Sequence, residues 1–439
     1  MASEQHHVAF GEICEHSAFG PRFSSDEYAS DGNVACLRTT DIRADGRIDF
    51  DAMPLAKLDL SRLRNHILRR DDLVITRTGA YLGKAAVFSG FRLPVLAGAF
   101  SIYFRLNREI ADPLFIRYFF NSSIGQEAIH SIATGSAQPN LNIPNLHSLR
   151  IPLPSLAEQR AIANILGVLD DKIELNRRMN ETLEGLARAI FQSWFVDFDP
   201  VRAQRDGLPP PALSPAIAAL FPDSFEDSEL GKIPKGWVID TIKNRASNVQ
   251  YGYTQSASLE PVGPRFLRIT DIRGGQVDWS AVPFCKTNDD ELEKYRIKDG
   301  DIFVARTGTS TGDNIYVIDP PDAVFASYLV RFQFASVGIG RFVGEFMRTP
   351  DYFSHVAGSI GGSAQPNASA QTLADATVVF PTEVVADQFY KTVRPLDLKR
   401  TANSKESERL AAIRDALLPK LLSGEIRVAE AERLVEETT

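Results

Sequence analysis

The sequence predicts an α+β protein in which two similar domains, each a mixed or antiparallel sheet with helices, are separated by two long antiparallel coiled-coil helices in a pseudo-two-fold internal repeat. Three observations predict it. The chain has 439 residues, more than one hydrophobic core serves, so two or more domains are expected. Three marks recur in the same order at a nearly constant spacing of 227 to 230 residues. Two long stretches carry apolar residues stepping alternately by 4 and 3, the signature of a helical seam.

The first mark is CLRTTDIRADGRIDF (Cys36–Phe50), which matches FLRITDIRGGQVDWS (Phe266–Ser280). The second is DLVITRTG (Asp72–Gly79), which matches DIFVARTG (Asp301–Gly308). The third is SAQPN, identical at Ser136–Asn140 and Ser363–Asn367. The period is too long for a solenoid and reads as tandem domains. Within each copy, a short apolar run ends in a Thr-Gly turn, as a buried strand does, and AFSIYFRL and SYLVRFQF alternate in the manner of strands. A helical piece follows each, PLFIRYFFNSS in the first copy and IGRFVGEFMRT in the second.

These marks divide the chain into a first domain over 1–150, a helix over 151–195, a Pro-rich linker over 196–235, a second domain over 236–380, a second helix over 381–425 and a tail over 426–439. A proline-marked lead-in, IPLPSLAEQ or FPTEVVADQ, precedes each helix. The first seam runs through Ile162, Leu166, Leu169, Ile173, Asn176, Asn180, Leu183, Ala187 and Ile190. The second runs through Phe389, Val393, Leu396, Arg400, Asn403, Ser407, Leu410, Arg414, Leu417 and Leu421. Asparagine inside a seam costs stability but fixes register, because a slipped pairing strands its amide. Pro395 is expected to kink or delay the second helix. The simplest partner for each stripe is the other helix of the same chain, running antiparallel and holding the domains apart; the alternative is that each helix packs on its own domain. The linker, GLPPPALSPAIAALFPDS, lets the chain return before the second copy begins near Trp237.

Composition narrows the function. Apolar residues make up 44% and charged residues 24%, as in ordinary globular chains. No run approaches the roughly 20 apolar residues that span a bilayer, and MASEQHHVAF lacks the features of a signal peptide. Three well-separated cysteines, Cys14, Cys36 and Cys285, fit a reducing cytoplasm and give no zinc spacing. The net charge of −8 argues against a broadly basic nucleic-acid surface, although residues 1–150 are neutral. A DNA-binding surface is therefore expected to be local, or shared with a partner that brings positive charge.

Catalytic templates fail. GAYLGKAA (Gly79–Ala86) has three residues between its glycines where a phosphate loop has four, and Ala85 stands where the magnesium-binding hydroxyl belongs. DFDPVR (Asp197–Arg202) has Val201 at the second proline of an adenine-methyltransferase stretch. Pro350-Asp351 with Asp397-Leu398-Lys399 is a poor metal-nuclease match, because its second part falls on a helix. The histidines show no HExxH or paired spacing. No metal site is expected, and two similar domains without such chemistry suggest a two-headed binding device.

IPLPSLAEQRAIANILGVLDDKIELNRRMNETLEGLARAIFQSWFVDFDPVRA closely resembles the central region of specificity subunits of type I restriction–modification systems. FPDSFEDSELGKIPKGW and LLPKLLSGEI resemble that family's linker and C-terminal end. The resemblance implies that the two domains are target recognition domains, each reading one half of a bipartite, asymmetric double-stranded DNA site through the major groove. It implies that the helices set the gap and dock two methyltransferase (modification) subunits, which bring S-adenosylmethionine and methylate adenine N6. Restriction/translocase subunits using ATP and Mg would complete the complex, and this chain would be non-catalytic by itself. The alternatives are a stand-alone DNA-modifying enzyme and a two-headed protein scaffold.

The DNA-binding candidates are Arg38, Thr40 and Arg43 with their counterparts Arg268, Thr270 and Arg273, and Arg77 and Thr78 with Arg306 and Thr307. An arginine in such a position can grip phosphate, read guanine or serve an internal ion pair. Residues shared by both copies cannot easily distinguish two different half-sites. Gln138 and Gln365, with Asn140 and Asn367, can bridge backbone at a turn or read adenine. Residues belonging to one copy, Tyr81, Lys84, Tyr251, Tyr253 and Asn314, are the better candidates for sequence reading.

Overall fold

Apolar runs without polar alternation, such as LVIT and IFVA, require a strand covered on both faces. The computed structural model, which describes residues 6–43, 45–135, 139–210, 212–359 and 367–436, puts them there. Its chain divides into one unit of residues 1–175 with 407–439, and another of residues 176–406.

In the first unit the central strands are β1 (Cys14–Phe19), β2 (Val34–Leu37), β3 (Leu73–Thr76), β4 (Ala85–Val87), β5 (Val95–Ala97) and β6 (Ser101–Leu106). An antiparallel sheet runs β1-β6-β3-β4, while β2 pairs parallel to β5. Along β3, Leu73 and Ile75 enter one core and Val74 another, so period-2 alternation persists although every residue is apolar. The second unit repeats this plan with β7 (Ala246–Tyr251), β8 (Arg265–Leu267), β9 (Ile302–Ala305), β10 (Asn314–Tyr316), β11 (Ala323–Phe325) and β12 (Leu329–Phe334). Its sheet runs β7-β12-β9-β10, and β8 pairs parallel to β11. The domains are thus mixed rather than purely antiparallel. Each is closed by an antiparallel pair joining its first and last strands, His7–Ala9 with Arg150–Pro152 and Val238–Thr241 with Thr377–Phe380.

The first long helix spans Leu156–Phe191 and the second Glu383–Ser423. The first starts where it does because Ser155 and Glu158 form a reciprocal cap, the Ser155 hydroxyl accepting from Glu158 N–H at 3.3 Å and the Glu158 carboxylate from Ser155 N–H at 3.1 Å. Each unit contains part of both helices. In the first unit, Ile162, Leu166 and Leu169 share a core with Leu410, Leu417 and Leu421, and Ile173 packs against it. In the second, Ala187, Phe191, Phe389 and Val393 are buried together, and Leu183 is half-buried.

The asparagines show the direction of pairing within the second unit. Asn176 donates to the Glu406 carboxylate at 2.8 Å, and Asn180 donates to the Ser404 hydroxyl at 3.2 Å and to the Arg400 carbonyl at 3.3 Å. Asn403 in turn donates to Asn180 Oδ1 at 2.9 Å. Partner numbers fall as the first helix advances, so the segments run antiparallel. A register slip would leave buried amides without acceptors.

Each of the two domains is also fastened to a long helix by a buried ion pair. Arg117, on the helix Pro113–Asn121, meets Asp170 at 3.2 Å, and Arg341, on Val337–Phe346, meets Asp397 at 2.8 Å. The two aspartates are 227 residues apart, the spacing that also relates Asn176 to Asn403. Charged seam positions are likewise matched: Arg414 pairs with Asp170 at 2.7 Å and Arg400 with Glu184 at 2.7 Å.

One expectation is revised, and two segments that the sequence left open take defined structure. The second helix begins at Glu383 and continues through Pro395 to Ser423, so the proline does not delay it; a proline costs an internal helix about 3 kcal/mol, and Phe389 and Val393 beside it are buried. Residues 196–235 are not a bare tether. They form the helices Asp199–Arg205 and Pro215–Ala218 and the hairpin Phe225–Ser228/Gly231–Pro234, and Val201 and Phe221 join the core containing Trp194 and Trp237. The tail contains a helix, Val428–Glu436, because Ala431 is buried and Val428 and Val435 pack on the first unit's core.

Candidate nucleic-acid interface

The shared arginines fall into distinct environments. Arg38 and Arg268 each precede a 3-10 turn, and the aspartate three residues on accepts both their backbone N–H and their guanidinium. The guanidinium contacts are 2.7 Å for Arg38–Asp41 and 2.8 Å for Arg268–Asp271, and Arg38 also reaches the Ala52 carbonyl at 2.8 Å. The hydrogen bond each guanidinium donates to its aspartate holds both above their ordinary pKa. Thr40 and Thr270 lean on the same carboxylates at 3.5 Å. This arrangement braces a turn and largely neutralises the charge.

Arg43 is drawn to Glu174 on the first long helix at 3.0 Å and to Asp49 at 3.1 Å. Its counterpart Arg273 is exposed, and its guanidinium donates to the Thr270 carbonyl at 3.4 Å.

Arg77 and Arg306 differ from these. Each follows directly on the end of its strand, β3 or β9. Arg77 lies 4.5 Å from the ring centre of Phe19, and its Nε donates to Asn140 Oδ1 at 3.0 Å. Arg306 lies 4.9 Å from the ring centre of Tyr251 and donates to Asn367 Oδ1 at 3.3 Å. The backbone repeats the pattern: Leu141 N–H donates to the Arg77 carbonyl at 2.9 Å, and Ala368 N–H to the Arg306 carbonyl at 2.8 Å. Thr78 bridges to Asn140, and Thr307 to Asn367. The repeated asparagine therefore joins the end of the sheet to the segment that leads into the long helix. Gln138 and Gln365 lie outside the described residues.

The residues peculiar to one copy divide in two. Tyr81 is 45% exposed, and Lys84 sits 4.5 Å above its ring while donating to the Ile42 carbonyl at 3.1 Å. Burial lowers the pKa of Lys84, Asp45 acting weakly against it. Asn314 is buried, donating to the carbonyls of Met347 at 2.6 Å and Gly312 at 3.0 Å. It sits on a strand whose neighbour Ile315 is apolar, so sequence alone gave it no facing. Tyr253 is also occupied internally, donating to Glu291 at 2.6 Å and stacking on Tyr295 with ring centres 5.3 Å apart.

Sequence reasoning missed Phe100 and Tyr328. They are 62% and 57% exposed, and each accepts the backbone N–H of the neighbouring arginine, Arg77 to Phe100 at 2.9 Å and Arg306 to Tyr328 at 3.0 Å. Their separation of 228 residues was a readable signal. The supporting strands explain Phe19-Gly20 and Tyr251-Gly252. A Cβ on Gly20 would lie 2.1 Å from the Gly98 carbonyl oxygen, and one on Gly252 would lie 2.2 Å from that of Ala326. Only glycine lets the strand pass that close behind its aromatic.

The arrangement can hold a cation on an aromatic platform beside an exposed ring, once in each unit. Among the described residues there is no cluster of potential metal ligands, and no helix is long and apolar enough to cross a membrane.

Comparison with known proteins gives this geometry a context. Residues 3–185 match the family model described as type I restriction modification DNA specificity domain. The MjaIX specificity subunit of a type I restriction enzyme from Methanocaldococcus jannaschii is 27% identical over 337 residues, covering 72% of this chain and 69% of the relative. The HindI specificity subunit from Haemophilus influenzae is 27% identical over 375 residues, covering 73% and 79%. The crystal structure of a type I restriction–modification S subunit from M. genitalium shares the fold, with a TM-score of 0.57 over 95% of this chain and 96% of that one at 16% identity. By sequence the chain is similar to the specificity subunits of type I restriction–modification systems.

Proposed function

We propose that this protein selects the DNA target of a type I restriction–modification complex. Each recognition domain reads one half of a bipartite, asymmetric site. The long helices set the unread gap and dock two methyltransferase subunits. Those subunits bring S-adenosylmethionine for adenine N6 methylation, and restriction/translocase subunits bring ATP and Mg. The chain itself contributes no catalytic group and works in the cytoplasm, where its DNA is.

The observation that carries this reading is the duplication itself. The same sheet, the same arginine–aromatic–asparagine node and the same Arg–Asp fastening occur twice, each copy joined to one of two helices that pair antiparallel within the units. Two linked heads multiply specificity only where a spacer permits both contacts at once. The net charge of −8 fits a reader whose phosphate contacts are partly supplied by partner subunits.

The test is to express the chain with its methyltransferase partner and map N6-methyladenine by long-read sequencing. The expected product is a split motif with a fixed internal gap. A continuous palindrome, or no methylation from a well-formed complex, refutes the proposal.

A further inference from the structure

Residues common to both domains cannot tell two different half-sites apart, so what they contact must be common to both half-sites. Of the repeated arginines, Arg38 and Arg268 are neutralised by Asp41 and Asp271, and Arg117 and Arg341 by buried aspartates. Arg77 and Arg306 are not: among the described residues no carboxylate lies within ion-pair distance of either, although both are ordered by a ring beneath and an asparagine beside them. In a chain of net charge −8, an uncompensated cation duplicated at one place in the fold is the position built for an anion. Phe100 and Tyr328 add a large exposed ring next to each. A phenylalanine offers no hydrogen bond to a base edge, so the feature the two rings share is apolar contact.

We propose that Arg77 with Phe100, and Arg306 with Tyr328, form a sequence-independent anchor for the DNA backbone: the guanidinium takes a phosphate and the ring packs on the adjoining deoxyribose. This rests on the proposed DNA-reading role and assigns these four residues to affinity rather than to target choice. The stacked ring and Asn140 or Asn367 hold the guanidinium in place before DNA arrives, which lowers the ordering cost of the contact. Target choice is left to residues that differ between the copies.

The test uses the chain in complex with its methyltransferase partner and measures binding to cognate and to unrelated duplexes across a salt series. Arg77→Gln and Arg306→Gln each weaken binding by about tenfold on both duplexes alike, and each lowers the slope of log K against log salt by about 0.9, one phosphate contact. Lysine at either position restores the slope, because it keeps the charge. Phe100→Ala and Tyr328→Ala weaken binding without changing the slope, since an apolar contact releases no counterion. The methylated motif is the same in all variants, and thermal unfolding confirms that each is folded. A motif that changes at one base makes the arginine a base reader and overturns the proposal. A folded glutamine variant with unaltered slope makes the node an internal joint and overturns it as well. Wild-type complex without preference for a split site sinks the functional reading instead, so the two failures are distinguishable.

Discussion

Removing the carboxylate of Asp170 tests how the first domain is fastened to its helix. That side chain is 1% exposed and accepts from Arg117 at 3.2 Å, Arg414 at 2.7 Å and the Tyr118 hydroxyl at 2.6 Å. Asp170→Ala leaves the Arg117 guanidinium, 8% exposed, without its counter-charge, while Arg414 keeps Asp415 at 2.8 Å. Breaking a buried pair from one side costs about 3–5 kcal/mol. For a unit of roughly 200 residues, 1 kcal/mol moves Tm by about 2–4 °C, so a fall of about 6–20 °C is expected. Differential scanning calorimetry of the whole chain measures it. Asp170→Asn keeps an acceptor and loses the charge, so it belongs between wild type and alanine. An alanine variant destabilised by less than about 1 kcal/mol would refute the reasoning and assign the joint to the surrounding Leu166, Leu169 and Leu410 packing.

In the second unit, burial pushes the Glu184 pKa up, but Arg348 and Arg400 outweigh it and hold the group below its ordinary 4.5. A depressed carboxylate contributes stability that is fully present above the unfolded pKa and is lost as pH falls through the folded one. The stability gap between wild type and Glu184→Gln is therefore expected to be constant near neutrality and to close in acid below about pH 4.5, as followed by urea unfolding at a series of pH values; a gap that widens in acid contradicts the assignment. Gly20→Ala places a methyl 2.1 Å from a carbonyl oxygen, and with only backbone to displace it should cost about 1–3 kcal/mol or more in thermal unfolding. The control is Gly79→Ala, which meets no atom within 4 Å but has a φ of +84°, so its cost is backbone strain of about 1 kcal/mol.

The duplication, the approximate limits of both long helices and the asparagine positions in the seam were legible because they depend on local periodicity and on self-similarity along the chain. Asn314 and Tyr253 were not legible as buried or occupied: a strand residue's facing depends on which core covers it, and both faces of these sheets are covered. Pro395 misled for a related reason, since propensity counts the lost hydrogen bond and not the buried Phe389 and Val393 that hold the helix together. The arginines separate only in three dimensions. LRTTDIR and TRTG each display an arginine beside threonine, yet one is neutralised by an aspartate three residues away and the other is stacked on a ring from a strand some 58 residues earlier.

By itself the sequence determined that one domain was written twice and that each copy ends in a long helix, because hydrophobic spacing and repetition are properties of order along the chain. Which cations are neutralised and which remain available to an anion, and which rings stand exposed, was decided by the tertiary structure, because charge compensation and burial depend on neighbours that the chain brings together only when it folds.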